Sequence, residues 1–407
     1  MAALAILGIM LGCAAYQYFK GTVVTAFAAI INAVISSFIA FAFFELLSEY
    51  LAKYLSSVAG WGPAICFGFV FLLVFAVLQA VLPKLIRHKV DLGLRPERIG
   101  RPICGIVLGY IISGVMLTAG AIAPLPNSYP YPRFDQRNPN PERPNKVALN
   151  ADGFVTGLFS LASNGSFSSI ANKRSFAALH AQFLDQLYLN RHSIAEGVPA
   201  AAASDAIEVP AKNAAWYAPE TMRDSEGKPI SPGPGRSLIL VRMGIRRNAL
   251  PAAGRFTLSQ LRLICRPKNA KTPLSGKGYS IYPVGYLTGP NQLQMRRFNE
   301  KTEIQDFPES VKWTDFGFYV PSDLMPVLVE FKLNNIAQVP PPVSAEQAPG
   351  FESFAQPAST SREPEPGNSA QSEPPTAPSE SREKPARRGG LSNISRSVVG
   401  DQLDENQ

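Results

Sequence analysis

Uncharged residues dominate the first 127 positions of this chain, and their distribution constrains its fold more than anything else in the sequence. No charged side chain occurs from Met1 to Phe19, from Gly21 to Phe44, from Leu55 to Pro83 or from Pro102 to Asn127. Each run approaches or exceeds the roughly 20 residues an α-helix needs to cross about 30 Å of hydrocarbon at 1.5 Å per residue. Core helices of water-soluble proteins are shorter and interrupted by charge, so four such runs in succession predict four transmembrane helices within residues 1–124. The first run carries no Lys or Arg ahead of its apolar stretch. It therefore lacks the basic start of a cleaved signal peptide and is expected to be a retained span.

Charge in the short loops predicts the orientation. The stretch "PKLIRHKVDLGLRPERIGRP", residues 83–102, holds six Lys or Arg, among them Arg87, Lys89, Arg95, Arg98 and Arg101, against two acids. Lys20 lies between the first two runs, and "ELLSEYLAKY", with Glu45, Glu49 and Lys53, is expected as the loop between the second and third. Lys and Arg in short loops are biased to the cytoplasm. Placing Lys20 and the basic island inside puts the N-terminus and everything beyond Pro124 outside.

The remainder divides by composition. Residues 125–153 are Pro- and Asn-rich and read as an extended linker. Residues 154–236 read as short helices followed by an irregular Ala-, Pro- and Gly-rich stretch; in "FAALHAQFLDQLYL", Phe176, Leu179, Phe183 and Leu187 recur at near-helical spacing and Ser175 is the expected cap. From 237 to 337 the period becomes two: Leu261, Leu263 and Cys265 alternate with Arg262 and Arg266, and Val327, Val329, Phe331 and Leu333 with Glu330 and Lys332. Five such runs predict an antiparallel sandwich-like β-domain or small barrel. Residues 338–407, rich in Pro, Ser, Glu and Ala, cannot bury enough apolar surface to offset the entropy of ordering and are expected to be disordered. The predicted architecture is a four-helix membrane bundle, a mixed soluble region with a β-domain, and a disordered tail.

Chemistry is sparse. Arg242, Arg246, Arg247, Arg255, Arg262, Arg266, Lys268, Lys271 and Lys277 form a segment without an acid. On alternating strands it is either a patch facing anionic lipid or cell-wall polymer, or a solvated outer sheet face; nucleic acid is not an expected partner outside the cytoplasm. Cys13, Cys66 and Cys104 lie in apolar runs and Cys265 stands alone, so neither a disulfide framework nor metal-ligand spacing is present. A Ser-His-Asp hydrolase would have to use His180 or His192 with Asp185, yet no GxSxG elbow exists, and His180 among Phe176, Leu179 and Phe183 reads as a packing residue. Phosphate-loop and dinucleotide motifs are absent, and no cofactor, metal site or enzymatic activity is expected. The apolar runs hold no ionisable side chain that would mark a transport pathway. They do hold two GxxxG pairs, Gly8 with Gly12 and Gly105 with Gly109, the close-packing chemistry of a tight bundle or a homo-oligomer.

Four short spans, the step "YQYFKG" with Lys20 and Gly21, and a basic loop running into "RIGRPICGIVLG", with Arg98, Gly100, Gly105 and Gly109, resemble the colicin V production protein (CvpA) family. The resemblance covers residues 1–125. It implies an integral inner-membrane protein linked to colicin V production or secretion and to envelope maintenance, without established catalytic residues. Some relatives carry an extracytoplasmic serine protease after the four spans; this chain lacks that signature and has a β-rich region instead. The expected role is binding or scaffolding at the cell envelope, with membrane lipid and other envelope proteins as partners. A channel or export component is the alternative, and a membrane-tethered hydrolase the third reading.

Overall fold

A computed structural model describes residues 2–55, 60–85, 93–163, 176–195, 198, 205–246, 255–270, 276–304, 310–333 and 335–352. Four helices are long and apolar enough to cross a membrane: α1 (Ala2–Lys20), α2 (Val23–Tyr54), α3 (Gly62–Leu85) and α4 (Leu94–Ile122). They pack with α1 on α4, α2 on α3 and α2 on α4. Glycine permits the closest of these contacts. A Cβ on Gly105 would lie 2.5 Å from the Ala14 Cα, and one on Gly109 2.6 Å from the Met10 Cα. Any side chain at either position would drive the two backbones apart. Gly8 and Gly12 behave differently, because a Cβ at either would meet nothing within 4 Å beyond its own helix, and both face outward.

Two expectations about this region are corrected. The stretch "ELLSEYLAKY" is not a loop: α2 continues through it to Tyr54. Glu and Lys end a hydrocarbon span, but with Leu and Ala they are good helix formers, so the helix runs on beyond the apolar run. The basic island likewise ends in helix, since α4 begins at Leu94 and carries Arg95, Glu97, Arg98 and Arg101 in its first turns. Glu97 pairs with Arg101 at 2.6 Å and accepts from the Val23 backbone N–H at 3.2 Å, helping to cap α2 beside the Thr22 capping box. Lys20, Gly21, Arg95, Arg98, Gly100 and Arg101 thus gather at one end of the bundle. Arg87 and Lys89 lie outside the described residues.

At the opposite end three short helices follow: α5 (Ala151–Ser163), α6 (Phe176–Leu179) and α7 (Phe183–Ala195). Aromatic rings join them to the bundle. Phe159 of α5 stacks on Phe41 of α2 at 4.8 Å, Phe176 lies 4.8 Å from Phe159 and 5.2 Å from Phe183, and Phe41 meets Phe67 of α3 at 4.9 Å. The Pro-rich stretch 125–153 is pinned to the same apolar cluster through buried Tyr131, Phe134 and Val147, and ends inside α5. Ser175, expected as a cap, lies outside the described residues.

The remaining strands are β1 (Ile207–Glu208), β2 (Ala215–Tyr217), β3 (Arg223–Asp224), β4 (Arg236–Arg246), β5 (Arg255–Thr257), β6 (Leu261–Pro267), β7 (Tyr279–Ile281), β8 (Pro283–Gly289), β9 (Gln292–Met295), β10 (Lys301–Glu303), β11 (Val311–Pro321), β12 (Leu324–Phe331) and β13 (Asn335–Gln338). One sheet runs β1-β4-β11-β8-β9-β3 with β2 also on β4, a second runs β13-β12-β6-β7, and β5 pairs with β10. The arrangement is mixed rather than purely antiparallel, because β3 pairs with β9 in parallel. Alternation places Ile239, Val241, Met243 and Ile245 of β4, Leu261, Leu263 and Cys265 of β6, and Val329 and Phe331 of β12 in one apolar cluster fed by both sheets. The ordered chain also continues past residue 338. Val339 is buried, and Val343 exchanges backbone hydrogen bonds with Tyr217 and Ala215 at 3.0 Å each. Residues 353–407 lie outside the described residues.

Candidate functional site

The described residue with the most consequential setting is His180, just after α6, in the seam between the bundle and the sheets. Its Nε2 lies 2.8 Å from a carboxylate oxygen of Glu45, on the extended part of α2. Its Nδ1 faces the Gln186 Oε1 of α7 at 3.4 Å. The Gln186 amide is oriented by its other partner: Nε2 donates to Glu330 Oε1 of β12, which leaves Oε1 to accept from the imidazole. Glu330 in turn receives Arg262 Nη2 of β6 at 2.5 Å, directly across the ladder. Arg262 also donates to the carbonyls of Leu179 at 2.5 Å and Ala181 at 3.2 Å, and to Ser280 Oγ at 2.8 Å. A continuous chain of polar groups therefore runs from a membrane helix, through the α6–α7 segment, into the second sheet.

Both ring nitrogens of His180 face acceptors, so the doubly protonated imidazolium fits the site. Burial alone would depress its pKa. The Glu45 carboxylate, with Glu330 behind it, outweighs that and holds His180 above the usual imidazole range. A cation within ion-pair distance of Glu45 and packed between Phe176 and Phe183, at 4.8 and 5.3 Å, serves as a fixed link rather than as a base.

A second buried cluster stands beside the first. Tyr131 donates to Asp152 Oδ2 at 2.5 Å and accepts from Arg133 Nη1 at 2.7 Å, while Arg133 Nε meets Asp185 Oδ1 at 2.5 Å. Asp185, expected as the orienting acid of a possible hydrolase, is thus engaged by Arg133. Arg191 of α7 completes the junction. Its guanidinium donates to the carbonyls of Ala121 and Ala123 at 2.6 Å each, to that of Gly120, and to Tyr129 O at 2.7 Å. It occupies the negative end of α4, where the last carbonyls lack helical partners. Burial pulls this guanidinium down to about 10.

Among the described residues neither the expected basic patch nor a solvated basic face forms. Arg242 and Arg262 are buried in ion pairs, and Arg266 is buried as well. Arg242 makes a two-pronged contact with Asp315 of β11, at 2.7 and 2.8 Å, under the Trp216 ring. The even-numbered faces of β4 and β6 are covered: that of β4 by Trp216 and the segment reaching Gly350, that of β6 by Leu179 and its neighbours. Arg246 is partly exposed and paired with Glu208, and Arg247 lies outside the described residues. None of Glu45, Gln186, Glu330, Tyr131, Arg133 and Arg191 is marked by the sequence as a functional residue. Most of their partners are sequence-remote, as with Glu45 and His180, Gln186 and Glu330, or Arg133 and Asp185, and no spacing rule reaches them. Burial pushes the Cys265 thiol well above its ordinary value, which removes it as a nucleophile. Among the described residues no group of three or more His, Cys, Asp or Glu is placed to hold a metal ion. A cleft of about 390 Å³ opens beside the relay, bordered by Gly157 and Leu161 of α5, His180, Lys146 and Lys277.

No family model, no curated protein and no solved structure matches this chain. The resemblance to the colicin V production family accordingly rests on the quoted residues of the first 125 positions.

Lys332 is a further cation buried by the fold. It is 1 % exposed, with Arg255 O at 3.4 Å as an acceptor, and burial pulls it down to about 8. The unfolded chain, with a lysine near 10.4, binds more protons than the folded one between those values, so stability rises with pH across that window. Below pH 8 the charged form opposes folding. Lys332→Met is expected to stabilise the protein at pH 7 by up to about 3 kcal/mol, and by much less at pH 10. Thermal melts of both chains at the two pH values check this.

Proposed function

We propose that this chain is an integral membrane scaffold of the cell envelope, related to the colicin V production family, whose four helices hold a sheet-rich binding body against one membrane face. The observation that carries the reading is the polar relay from the exposed Glu45 of α2 into the buried groups His180, Gln186, Glu330 and Arg262, reinforced by Arg191 on the end of α4. A body on a free tether needs no such junction. Charged contacts buried at both ends of α6–α7 fix the orientation of the sheets relative to the helices. That suits a protein that presents a surface at a set height and angle to partners in the same membrane.

In this proposal the membrane is the inner one. Lys20 and the basic segment ending at Arg101 face the cytoplasm, and the sheets lie outside. The link to toxin production or secretion comes from the family resemblance. An epitope after Gln407 tests the orientation: added protease should remove it in cells whose outer membrane has been opened, with the inner membrane intact. Survival of the epitope there, with loss only on lysis, would reverse the topology and sink the extracytoplasmic role.

One observation favours a second reading, an export or channel component built from several copies. Gly8 and Gly12 face outward with nothing against them, and Asn32 of α2 meets Gln79 of α3 at 3.3 Å among apolar side chains. A copy seated on the Gly8–Gly12 face would complete such an assembly.

A further inference from the structure

We infer that α5 is an in-plane membrane helix, and that the acyl chains of the leaflet on the sheet side cover its outward face. The argument begins with depth. Gly109 of α4 packs on Met10 of α1 and Gly105 on Ala14, so the two helices run antiparallel at known register. Counted from Gly100, which packs on Val23 at the basic end, Gly114 stands roughly 21 Å along α4. Gly114 is where α5 attaches: a Cβ there would stand 2.4 Å from the Ala151 carbonyl oxygen. The first residue of α5 therefore lies within the roughly 30 Å hydrocarbon thickness counted from that end.

The other end of α5 gives the same depth from a different helix. Phe159 stacks on Phe41 at 4.8 Å and lies 5.5 Å from Phe38. Counted from Val23, beside Gly100 at the basic end, Phe38 stands roughly 22 Å and Phe41 roughly 27 Å along α2. Both fall short of the roughly 30 Å hydrocarbon thickness. Helix α5 thus bridges α4 and α2 just below the level of the membrane surface.

The polarity of α5 is reversed relative to a helix facing water. Most of its polar side chains turn inward: Asp152, Thr156 and Ser163 are buried and Ser160 half-buried, with Asp152 bound to the Tyr131 hydroxyl and Thr156 donating to the Asp152 carbonyl at 2.8 Å. Its outward residues are apolar, with Phe154 45 % and Leu161 74 % exposed, and Leu149, just before it, 66 % exposed. Such a face continues the apolar outer surfaces of the four long helices, where Leu72 of α3 is 64 % exposed. Lys146 and Lys277 border the cleft that Gly157 and Leu161 also line, so cations stand beside the apolar edge at the height of phosphate headgroups. An apolar face continuous with lipid-facing helices, set at that depth, fits lipid rather than a protein partner.

The test uses the full chain in phosphatidylcholine vesicles with acyl chains brominated at mid-depth. Leu161→Trp and Phe154→Trp each add emission to that of the native tryptophans, and the difference from the unaltered chain is read. About twofold quenching of the added emission is expected for both, comparable to Leu72→Trp, while Tyr217→Trp on the sheets should be unquenched. Added emission insensitive to brominated lipid but quenched by aqueous iodide would place α5 in water and overturn the inference. Should both variants fail to fold, hydroxyl-radical footprinting of the unaltered chain in bilayer discs reads the same surface. Phe154 and Leu161 protected like Leu72 supports lipid cover, and oxidation like that of Tyr217 refutes it.

Discussion

Replacing Glu330 with alanine is expected to cost the folded state about 3–5 kcal/mol, among the largest losses available from one side chain in this protein. Glu330 and Arg262 are each about 2 % exposed, and the carboxylate is the shared acceptor for Arg262 and for Gln186. Removing it leaves a buried guanidinium with only carbonyl and hydroxyl partners, and a buried amide with none from the sheet. The cost comes mostly from those stranded donors rather than from the attraction between the charges. Glu330→Gln keeps the shape and one acceptor, so it should cost less than half as much. The double change Arg262→Leu with Glu330→Leu should recover much of the loss, because it removes the desolvation cost together with the pair. Chemical denaturation in detergent micelles, arranged as a double-mutant cycle, measures all three. A single Glu330→Ala change that moves the midpoint by less than about 0.5 kcal/mol would show that the relay does not hold the seam.

The same substitution separates a structural junction from a local sheet contact. Gln186 lies on α7, and His180 behind it reaches Glu45 on α2. A weakened link at Glu330 therefore loosens the α6–α7 segment against both neighbours. The coupling should appear as faster amide exchange in α7, whereas the odd-numbered face of β6, packed in the common apolar cluster, stays protected.

Particular residues show how far the sequence reached. The four long helices were legible because hydrocarbon tolerates no charge over about 20 residues, a rule that needs no tertiary information. The same rule misled at Glu45. It finds where an uncharged run stops but says nothing about where a helix stops, and the turns of α2 from Glu45 onward are where the junction forms. On β6 the alternation was legible too, with Leu261, Leu263 and Cys265 facing the core. The inference that Arg262 and Arg266 then face solvent failed because α6 and its neighbours, some 80 residues earlier in the chain, cover that face. Period two shows that a strand has two faces and cannot show that both are covered. The segment after residue 338 was misread for a related reason: its Pro-rich composition predicts no core of its own, yet Val343 docks on a strand edge that other residues supply. Pairings such as Arg191 with the end of α4 depend wholly on the assembled geometry.

The GxxxG pairs provide the second large effect, because sequence makes them equivalent and structure does not. Gly105→Leu is expected to destabilise the bundle by about 3 kcal/mol or more, at or beyond the upper end of ordinary overpacking. The atoms a new Cβ would meet are the Ala14 Cα at 2.5 Å and the Cys13 carbonyl oxygen at 2.7 Å. Both belong to backbone, so no rotamer change relieves the clash and α1 must separate from α4. Gly109→Leu meets the Met10 Cα and should behave alike. Gly8→Leu adds an apolar side chain to an open face, and glycine inside a helix is itself unfavourable by roughly 1 kcal/mol relative to alanine. That variant should leave the monomer's stability unchanged or slightly raised. Thermal melts in detergent rank the three, and size-exclusion chromatography with light scattering reads assembly in the same samples. If Gly105→Leu melts with the unaltered chain, the α1–α4 contact described here is wrong. If Gly8→Leu instead dissociates a larger species without lowering monomer stability, the uncovered glycine face is an interface between copies, and the export-component reading gains over the solitary scaffold.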